Sequence, residues 1–333
     1  MPAYDRERTV AFRAVQTAAE LCQSVRADLD GDVMEKDDRT PVTVADFGSQ
    51  AVICKALRDA FPDDPVIGEE DSSALRADAN ADVRAHLLEE VRAHHPDVNP
   101  GLVFDWIDHG TDEGYSERFW TLDPIDGTKG FVRGDQYAIA LALIVDGRPQ
   151  VAALCCPHLP NSLDADPPTS RGQAFLAVRG EGTVQQPLTP ATDAVPTPIQ
   201  TSGTTDPSES RFCESFVSSH SSHDLAAQAG ERLGITADSI RIDSQAKYAI
   251  VARGEAEIYL RLPRPDSPDY TERIWDHAAG ALAVEAAGGT VTDMHGTPLD
   301  FTHGRLLEAN TGVVATNGPV HDEVIEALAA AQA

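Results

Sequence analysis

The chain has 333 residues, 41% of them hydrophobic, enough to bury one large α/β core or two packed subdomains and too apolar for global disorder. Its 54 acids against 26 bases leave a formal net charge of -28, which argues against a nucleic-acid duplex or an anionic membrane as partner. No apolar run approaches the ~20 residues of a membrane span, and Met1 to Arg13 is charged throughout with no apolar signal region, so a soluble cytoplasmic protein, with a monomer favoured, is expected.

Along the chain, Val10, Ala14, Val15, Ala18, Leu21, Cys22, Val25 and Leu29 fall at helical spacing and predict a helix over Arg6 to Leu29. The acidic run Asp28 to Asp32 fails the calcium-loop template, which wants Gly where Val33 stands and Glu where Arg39 stands. Pro41 to Val44 is β-prone, and Asp46 opens a helix ended by Pro62. A second apolar run, Pro65 to Gly68, leads into Glu69-Glu70-Asp71. Residues Ser72 to His95 read as a charged helix, and Pro96 to Ser116 as an irregular insertion. Trp120 to Leu122 is a strand running into Asp123 and Asp126.

Tyr137 to Val145, Asp146-Gly147 and Val151 to Leu154 read as a hairpin. Pro157 to Arg171 reads as loop, Ala174 to Val178 as strand, and the Pro/Thr-rich Pro187 to Pro198 as a boundary. The division expected is 1-186, an N-terminal α+β subdomain, and 199-333, a C-terminal α/β subdomain. Beyond the boundary come strands at Arg211 to Ser218, Ser239 to Ile242 and Glu257 to Leu262, and a helix at Asp224 to Leu233. Tyr248 to Ala252 is apolar, and an Ala-rich helix, His277 to Ala287, is closed by Gly288-Gly289. Strands at Thr290 to Thr292 and Gly312 to Thr316 and a helix at Val320 to Ala331 complete the chain. Alternating elements with hairpins favour a layered α/β fold with mixed sheets. Five cysteines without CxxC spacing, Cys22, Cys54, Cys155, Cys156 and Cys213, read as reduced buried thiols.

Acids stand at element ends four times: Asp46, Glu69 with Glu70, Asp123 with Asp126, and Asp276. Any one of them can be a plain helix cap, as Asp276 would be for the Ala-rich helix, or a solvated loop acid, as Glu70 and Asp71 would be. Two carboxylates ending a buried strand are costly without a cation beside them. All the clustered ligands are oxygen, with no zinc spacing of Cys and His, which favours Mg²⁺. Gly127 and Gly130 let backbone amides approach a ligand, and Thr128 adds a hydroxyl that can relay a proton to a carboxylate, with Asp46 the acid left over from metal ligation. Carboxylate-held magnesium beside the Gly127-Thr128 helix start is suited to phosphoryl chemistry. The cations for an anionic substrate come later. Ser244 and Lys247 stand three apart, and Arg261 sits in a strand-like run, where it meets either an anion or one of the many acids. Ser219 to Asp224, with His220, is dense in hydrogen-bonding groups, with Asp224 a helix cap.

Five stretches carry a resemblance: Thr40 to Asp46, Gly68 to Asp71, Asp123 to Phe131 (Asp-Pro-Ile-Asp-Gly-Thr-Lys-Gly-Phe), Asp243 to Tyr248, and Trp275 to Gly280 (Trp-Asp-His-Ala-Ala-Gly). In this order they resemble the magnesium-dependent, lithium-sensitive phosphatases of the inositol monophosphatase-like superfamily. Lys129, His220 to Asp224, Ser244 to Tyr248 and Tyr259 to Pro263 resemble its 3′(2′),5′-bisphosphate nucleotidase branch.

The resemblance implies a layered αβαβα sandwich of the inositol monophosphatase/fructose bisphosphatase type. It implies that Glu69, Asp123, Asp126, Asp276 and the Ile125 carbonyl bind two or three Mg²⁺ ions, with inhibition by Li⁺. Asp46 and Thr128 would activate the attacking water, and Gly127 would cradle the departing phosphate. His220, Ser244, Lys247 and Arg261 would hold a small nucleotide and its remaining phosphate. The implied reaction is hydrolysis of adenosine 3′,5′-bisphosphate to AMP and phosphate, in a setting of sulfur assimilation, with 3′-phosphoadenylyl sulfate a second substrate. An inositol phosphate phosphatase is the alternative. Two rivals of other classes are a haloacid-dehalogenase-type phosphatase, echoed by Asp126-Gly127-Thr128 but lacking an N-terminal Asp-x-Asp pair, and a metal-binding scaffold without activity. The sequence departs from the family at Asp71, where relatives commonly carry Ser, and in the insertions Pro96 to Ser116 and Pro157 to Arg171.

Overall fold

The computed structural model describes residues 3–27, 33–35, 41–165, 170–188, 195–216, 222–264, 267 and 270–332. Helix α1 (Asp5–Ala27) buries Ala14, Val15, Ala18, Leu21, Cys22 and Val25 along one stripe. Leu29 and the acidic run 28–32 lie outside the described residues. Strands β1 (Val33–Glu35) and β2 (Pro41–Thr43) pair antiparallel. Helix α2 (Val44–Ala60) starts at the N-cap Thr43, so Asp46 is its third residue and not its cap.

After β3 (Val66–Gly68) the structure departs from the expected long helix. Residues 74–76 and 78–80 form short 3-10 turns, and only Ala81–His94 (α3) is α-helical. Ser72 is tied by its amide and hydroxyl to the Asp108 carboxylate, both at 2.8 Å, and Ala77 is extended. These ties hold the segment off a helical path. The supposed irregular insertion contains helix α4 (Pro100–Ile107). Asn99 accepts from the Leu102 amide, Pro100 occupies the first turn, and Val103, Trp106 and Ile107 are buried.

Strand β4 (Arg118–Asp126) and the short helix α5 (Thr128–Arg133) follow. The hairpin with the Asp146-Gly147 turn is present as β5 (Ala138–Val145) and β6 (Arg148–Pro160), continued by β7 (Arg171–Val178), β8 (Gly182–Pro187) and β9 (Thr197–Ile199). The span expected as loop from Pro157 is thus partly strand, because β6 and β7 keep pairing out to Pro160 and Arg171. The order β3-β4-β5-β6-β7-β8-β9 makes a seven-stranded mixed sheet.

The second half supplies β10 (Phe212–Glu214), α6 (His223–Leu233), β11 (Ile240–Arg241), α7 (Ala246–Ala252) and β12 (Ile258–Arg261). It then adds α8 (Ala278–Ala286), β13 (Thr290–Thr292), β14 (Val313–Thr316) and α9 (His321–Ala331). The cap of α6 is Ser222, not Asp224, and α8 follows His277. The five-stranded sheet runs β11-β10-β12-β14-β13.

The layers follow from where the apolar faces go. Leu141 and Leu143 of β5 pack with Leu21, Phe47 and Ile53 of α1 and α2, while Ala140, Ala142 and Ile144 pack with Tyr248, Ile250 and Leu282 of α7 and α8. A sheet covered on both faces reads as a continuous apolar run, as Ala138 to Val145 does. The five-stranded sheet shares the α7/α8 core through Val291, Val313 and Ala315. Its other face packs on α6 and α9 through Leu260, Val314, Val324 and Leu328. The result is αβαβα. Gly280 lets α8 lie against α7, since a Cβ there would meet the Tyr248 ring at 2.2 Å. All five cysteines are free and buried, and Cys155 and Cys156 point into opposite cores.

Candidate active site

The site grows from the end of β4. Side chains three apart on a regular strand face opposite sides, so Asp123 and Asp126 could not share a wall. A register shift changes this. Asp123 pairs with Ala140 and Asp126 with Ala138, two residues of β5 that share a face. The bulge adds one residue at Pro124-Ile125 and brings both carboxylates to one side. The Ile125 amide donates to Asp123 Oδ1 at 3.1 Å, and Ser49 of α2 holds the Pro124 carbonyl at 2.9 Å. Gly127 then turns the chain at φ 88, a left-handed conformation natural to glycine.

Asp46 is set by the start of α2. Its Oδ2 accepts from the Thr43 amide at 2.8 Å and from the Thr43 hydroxyl at 2.6 Å. The Thr128 hydroxyl lies 3.2 Å from both Asp46 Oδ1 and the Ile125 carbonyl, and its single proton can be donated to either. Asp46 is only 1% exposed, and the half-buried Thr128 lies between it and the cavity.

Glu69 sits on the loop after β3. The buried Gln50 side chain of α2 clamps that loop, donating to the Glu70 and Ile107 carbonyls and accepting from the Glu70 amide. Gly68 and Gly110 both lie against Gln50, where a Cβ on either would come within 2.7 Å of its amide. Helix α4 is thus the brace behind Glu69. Asp71 is exposed and caps the Ser73 amide at 2.7 Å.

Facing the carboxylates stand the cations. Ser244 has φ 71 and caps the Ala246 amide at 3.2 Å. The next residue, Gln245, donates its amide to Asp126 Oδ2 and its side-chain Nε2 to the Trp275 carbonyl at 3.0 Å. Lys247 is 4% exposed, bonds Ser215 Oγ at 3.0 Å and lies over the Tyr259 ring. Arg261 meets acids, the second of its two expected environments: its Nε lies 3.2 Å from Glu272 Oε1, and its Nη2 3.9 Å from Asp276 Oδ2.

One cavity of about 480 Å³ is lined by Glu69, Asp123, Ile125, Asp126, Gly127, Thr128, Ser244, Lys247, Arg261 and Asp276 together. Asp46 joins through Thr128. His220 lies outside the described residues, as do Thr40 and Ser219 to Ser221. Lys129, Arg133, Ser215, Asp243 and Glu272 also line the cavity. Sequence reasoning missed Glu272 and Gln50. Glu272 belongs to no spaced motif, whereas Gln50 carried a signal, as a polar residue embedded in the buried stretch Val44 to Cys54.

Burial pushes the Asp123 carboxyl well above the usual carboxylate range, and the facing Glu69, Asp126, Asp276 and Asp46 carboxylates push it further. Burial also raises Asp276 against the pull of the Arg261 guanidinium. Asp126 rises through burial, restrained by Lys247 and Arg261. Lys247 is drawn down by burial and held up by Asp126. Clustered buried carboxylates that oppose one another's ionisation are an oxygen-only donor set that fits a small hard cation. Glu272, Asp276 and His277 also offer ligand atoms within 4.8 Å of one another. There, however, both Glu272 oxygens are already engaged, by Arg261 and by His277 Nε2.

A wall of carboxylates opposite two cations in one cavity suits phosphomonoester chemistry. Comparison with known proteins agrees. The inositol monophosphatase family profile matches residues 4–333. The 3′(2′),5′-bisphosphate nucleotidase of Emericella nidulans is 42% identical over 346 residues, covering 98% of both chains. That of Schizosaccharomyces pombe is 41% identical and covers 98% of this chain and 96% of its own. The 3′(2′),5′-bisphosphate nucleotidase 1 of Arabidopsis thaliana is also 41% identical, with the same coverage. An inositol monophosphatase from Anabaena superposes with a TM-score of 0.61 at 22% identity over 97% of this chain and 94% of its own. One from Thermotoga maritima gives 0.64 at 21% over 100% and 98%. These two share the fold. The chain belongs to the inositol monophosphatase family, and it is a phosphatase.

Proposed function

We propose that this phosphatase is a magnesium-dependent, lithium-sensitive 3′-nucleotidase that converts adenosine 3′,5′-bisphosphate to AMP and phosphate and also accepts 3′-phosphoadenylyl sulfate. The observation that carries this reading is that Asp123, Asp126 and Asp276 share one cavity with Lys247 and Arg261. A site for a single phosphate needs the carboxylates and their metal; two further cations provide for a second anionic group. The similarity of about 40% to nucleotidases from fungi and plants supports the same substrate class.

Glu69, Asp123, Asp126, Asp276 and the Ile125 carbonyl would hold Mg²⁺, which when bound neutralises phosphate oxygens and acidifies water. The chain's own residues supply the rest. Thr43 fixes Asp46, and Asp46 accepts the Thr128 hydroxyl proton. That leaves the Thr128 lone pairs to take a proton from the attacking water while its own proton moves to Asp46. Gly127, with its side-chain-free turn, cradles the departing phosphate. Ser244, Lys247 and Arg261 orient the group that is not cleaved, and six acids in the cavity wall make these cations necessary for any anion to enter.

Magnesium-dependent phosphate release from 3′-phosphonucleotides and inositol phosphates, with and without lithium, tests the reading. A preference for adenosine 3′,5′-bisphosphate of tenfold or more in kcat/KM is expected. A preference for an inositol monophosphate would overturn the substrate, and a trapped phosphoenzyme would overturn attack by water. Thr128→Ala should lower kcat by about 10²-fold, whereas Thr128→Ser should keep most of it, because only the hydroxyl is needed.

A further inference from the structure

Arg261 is held in a way that the reaction alone does not require. Glu272, 7% exposed, receives the Nε edge of the guanidinium at 3.2 Å on one oxygen. Its other oxygen faces His277 Nε2 at 3.0 Å. A carboxylate can only accept, so Nε2 carries the proton, and in the neutral imidazole Nδ1 accepts from the Tyr248 hydroxyl at 2.7 Å. Tyr248 is fully buried between α7 and α8. The chain Tyr248–His277–Glu272–Arg261 therefore anchors one guanidinium to the molecule's central helix layer.

The alternative partner is close. Asp276 Oδ2 lies 3.9 Å from Arg261 Nη2, beyond a hydrogen bond but within easy side-chain movement. If the Nε edge were released, the guanidinium would close on Asp276. Two functions would be lost together: a cation to receive an anion, and a carboxylate kept for a metal. A buried ion pair adds little net stability by itself, so this four-residue arrangement has its physical rationale in orientation.

We propose that Glu272 is a positioning residue that holds Arg261 off Asp276 and so sets the preference of the site for substrates carrying a second phosphate. This inference rests on the nucleotidase reading above, in which Arg261 receives the phosphate that is not cleaved. Both Glu272 oxygens are taken, by Arg261 and by His277, so its part in the site is exerted through Arg261.

The test compares wild type, Glu272→Gln, Arg261→Ala and the double variant on adenosine 3′,5′-bisphosphate and on adenosine 3′-monophosphate, with the Tm of each measured in the same buffer. Glu272→Gln should reduce the KM advantage of the bisphosphate over the monophosphate by about tenfold, the size of a typical coupling between contacting charged groups. The rise in KM should exceed the fall in kcat. In the Arg261→Ala background the same change should add nothing. Equal losses on both substrates, or losses that add to those of Arg261→Ala, would overturn the proposal and leave Glu272 a structural residue. The two readings separate cleanly. If Arg261→Ala itself fails to discriminate between the substrates, the nucleotidase reading fails; if it discriminates and Glu272→Gln does not, only the positioning role fails. Should Glu272→Gln not fold, Glu272→Asp keeps the charge on a shorter arm and is expected to give an intermediate loss of preference. Full wild-type preference in that folded variant would equally sink the idea.

Discussion

At the scale of single residues, charge placement dominates this molecule. Asp126 is held by the Gln245 amide and faces Lys247 and Arg261. Replacing it by Asn keeps the shape and removes a charge from the donor set. Activity should fall by about 10²-fold or more at saturating Mg²⁺, with a circular dichroism spectrum like that of wild type. An Asp126→Asn variant of near-normal activity would remove Asp126 from the residues proposed to hold the metal. Glu272 offers a pH test. The Arg261 guanidinium and His277 hold its carboxyl down at about 2, against 4.5 for an ordinary Glu. A depressed folded pKa contributes stability that is complete above the unfolded value of 4.5 and is lost as pH falls towards 2. The gap in unfolding free energy between wild type and Glu272→Gln should therefore be constant above pH 5 and shrink between pH 4.5 and 2. A gap independent of pH would exclude the ion pair as its source.

At the scale of elements, the site depends on residues that do not line the cavity. The turn Gly68-Glu69-Glu70 is held by Gln50, whose amide bonds the backbone of Glu70 and Ile107. Gln50→Leu would keep the volume and strand these buried backbone groups. A cost of about 2–4 kcal/mol is expected from unmet buried hydrogen bonds, together with weaker metal binding through a looser Glu69. Urea unfolding and a Mn²⁺ titration measure the two effects separately.

This element was only half legible beforehand. Asn99-Pro100 and the spacing of Val103, Trp106 and Ile107 are start and core signals of α4, yet they sit between polar stretches that read as loop. The failure in Ser72 to His95 has another cause. Its charges suit a helix, but Ser72 is tied to Asp108, a contact 36 residues away that no local pattern carries. By contrast β4, the β5–β6 hairpin and α8 followed directly from apolar runs and their turn residues, because their burial is set by their own side chains.

At the scale of the whole molecule, mutually repelling carboxylates are thermodynamically linked to any cation that binds between them. Asp123 and Asp276 are pushed up in the absence of metal, so a cation that binds only the folded state should stabilise it, by about 2.7 kcal/mol at a hundredfold excess over Kd. Calorimetry with and without Mg²⁺ should show a higher Tm with the ion, and the increase should be smaller in Asp126→Asn. An unchanged Tm in the wild type would count against a structural cation at this wall. No helix among the described residues is long and apolar enough to cross a membrane.

The sequence by itself determined the strongly apolar elements, such as β4, the β5–β6 hairpin and α8, and which residues carry charge to element ends, but not α4. Apolar periodicity, Gly-rich turns and acids at strand and helix termini are local properties, so Asp46, Glu69, Asp123, Asp126 and Asp276 were readable as candidates, as were Lys247 and Arg261. Only the tertiary structure decided how they meet. The bulge at Pro124-Ile125 turns Asp123 and Asp126 to one face, α4 braces Glu69 through Gln50, and Glu272 takes the Arg261 edge. Each of these depends on pairing register or on a contact across elements, and such contacts are set by the packing of the whole chain, not by any segment's own pattern.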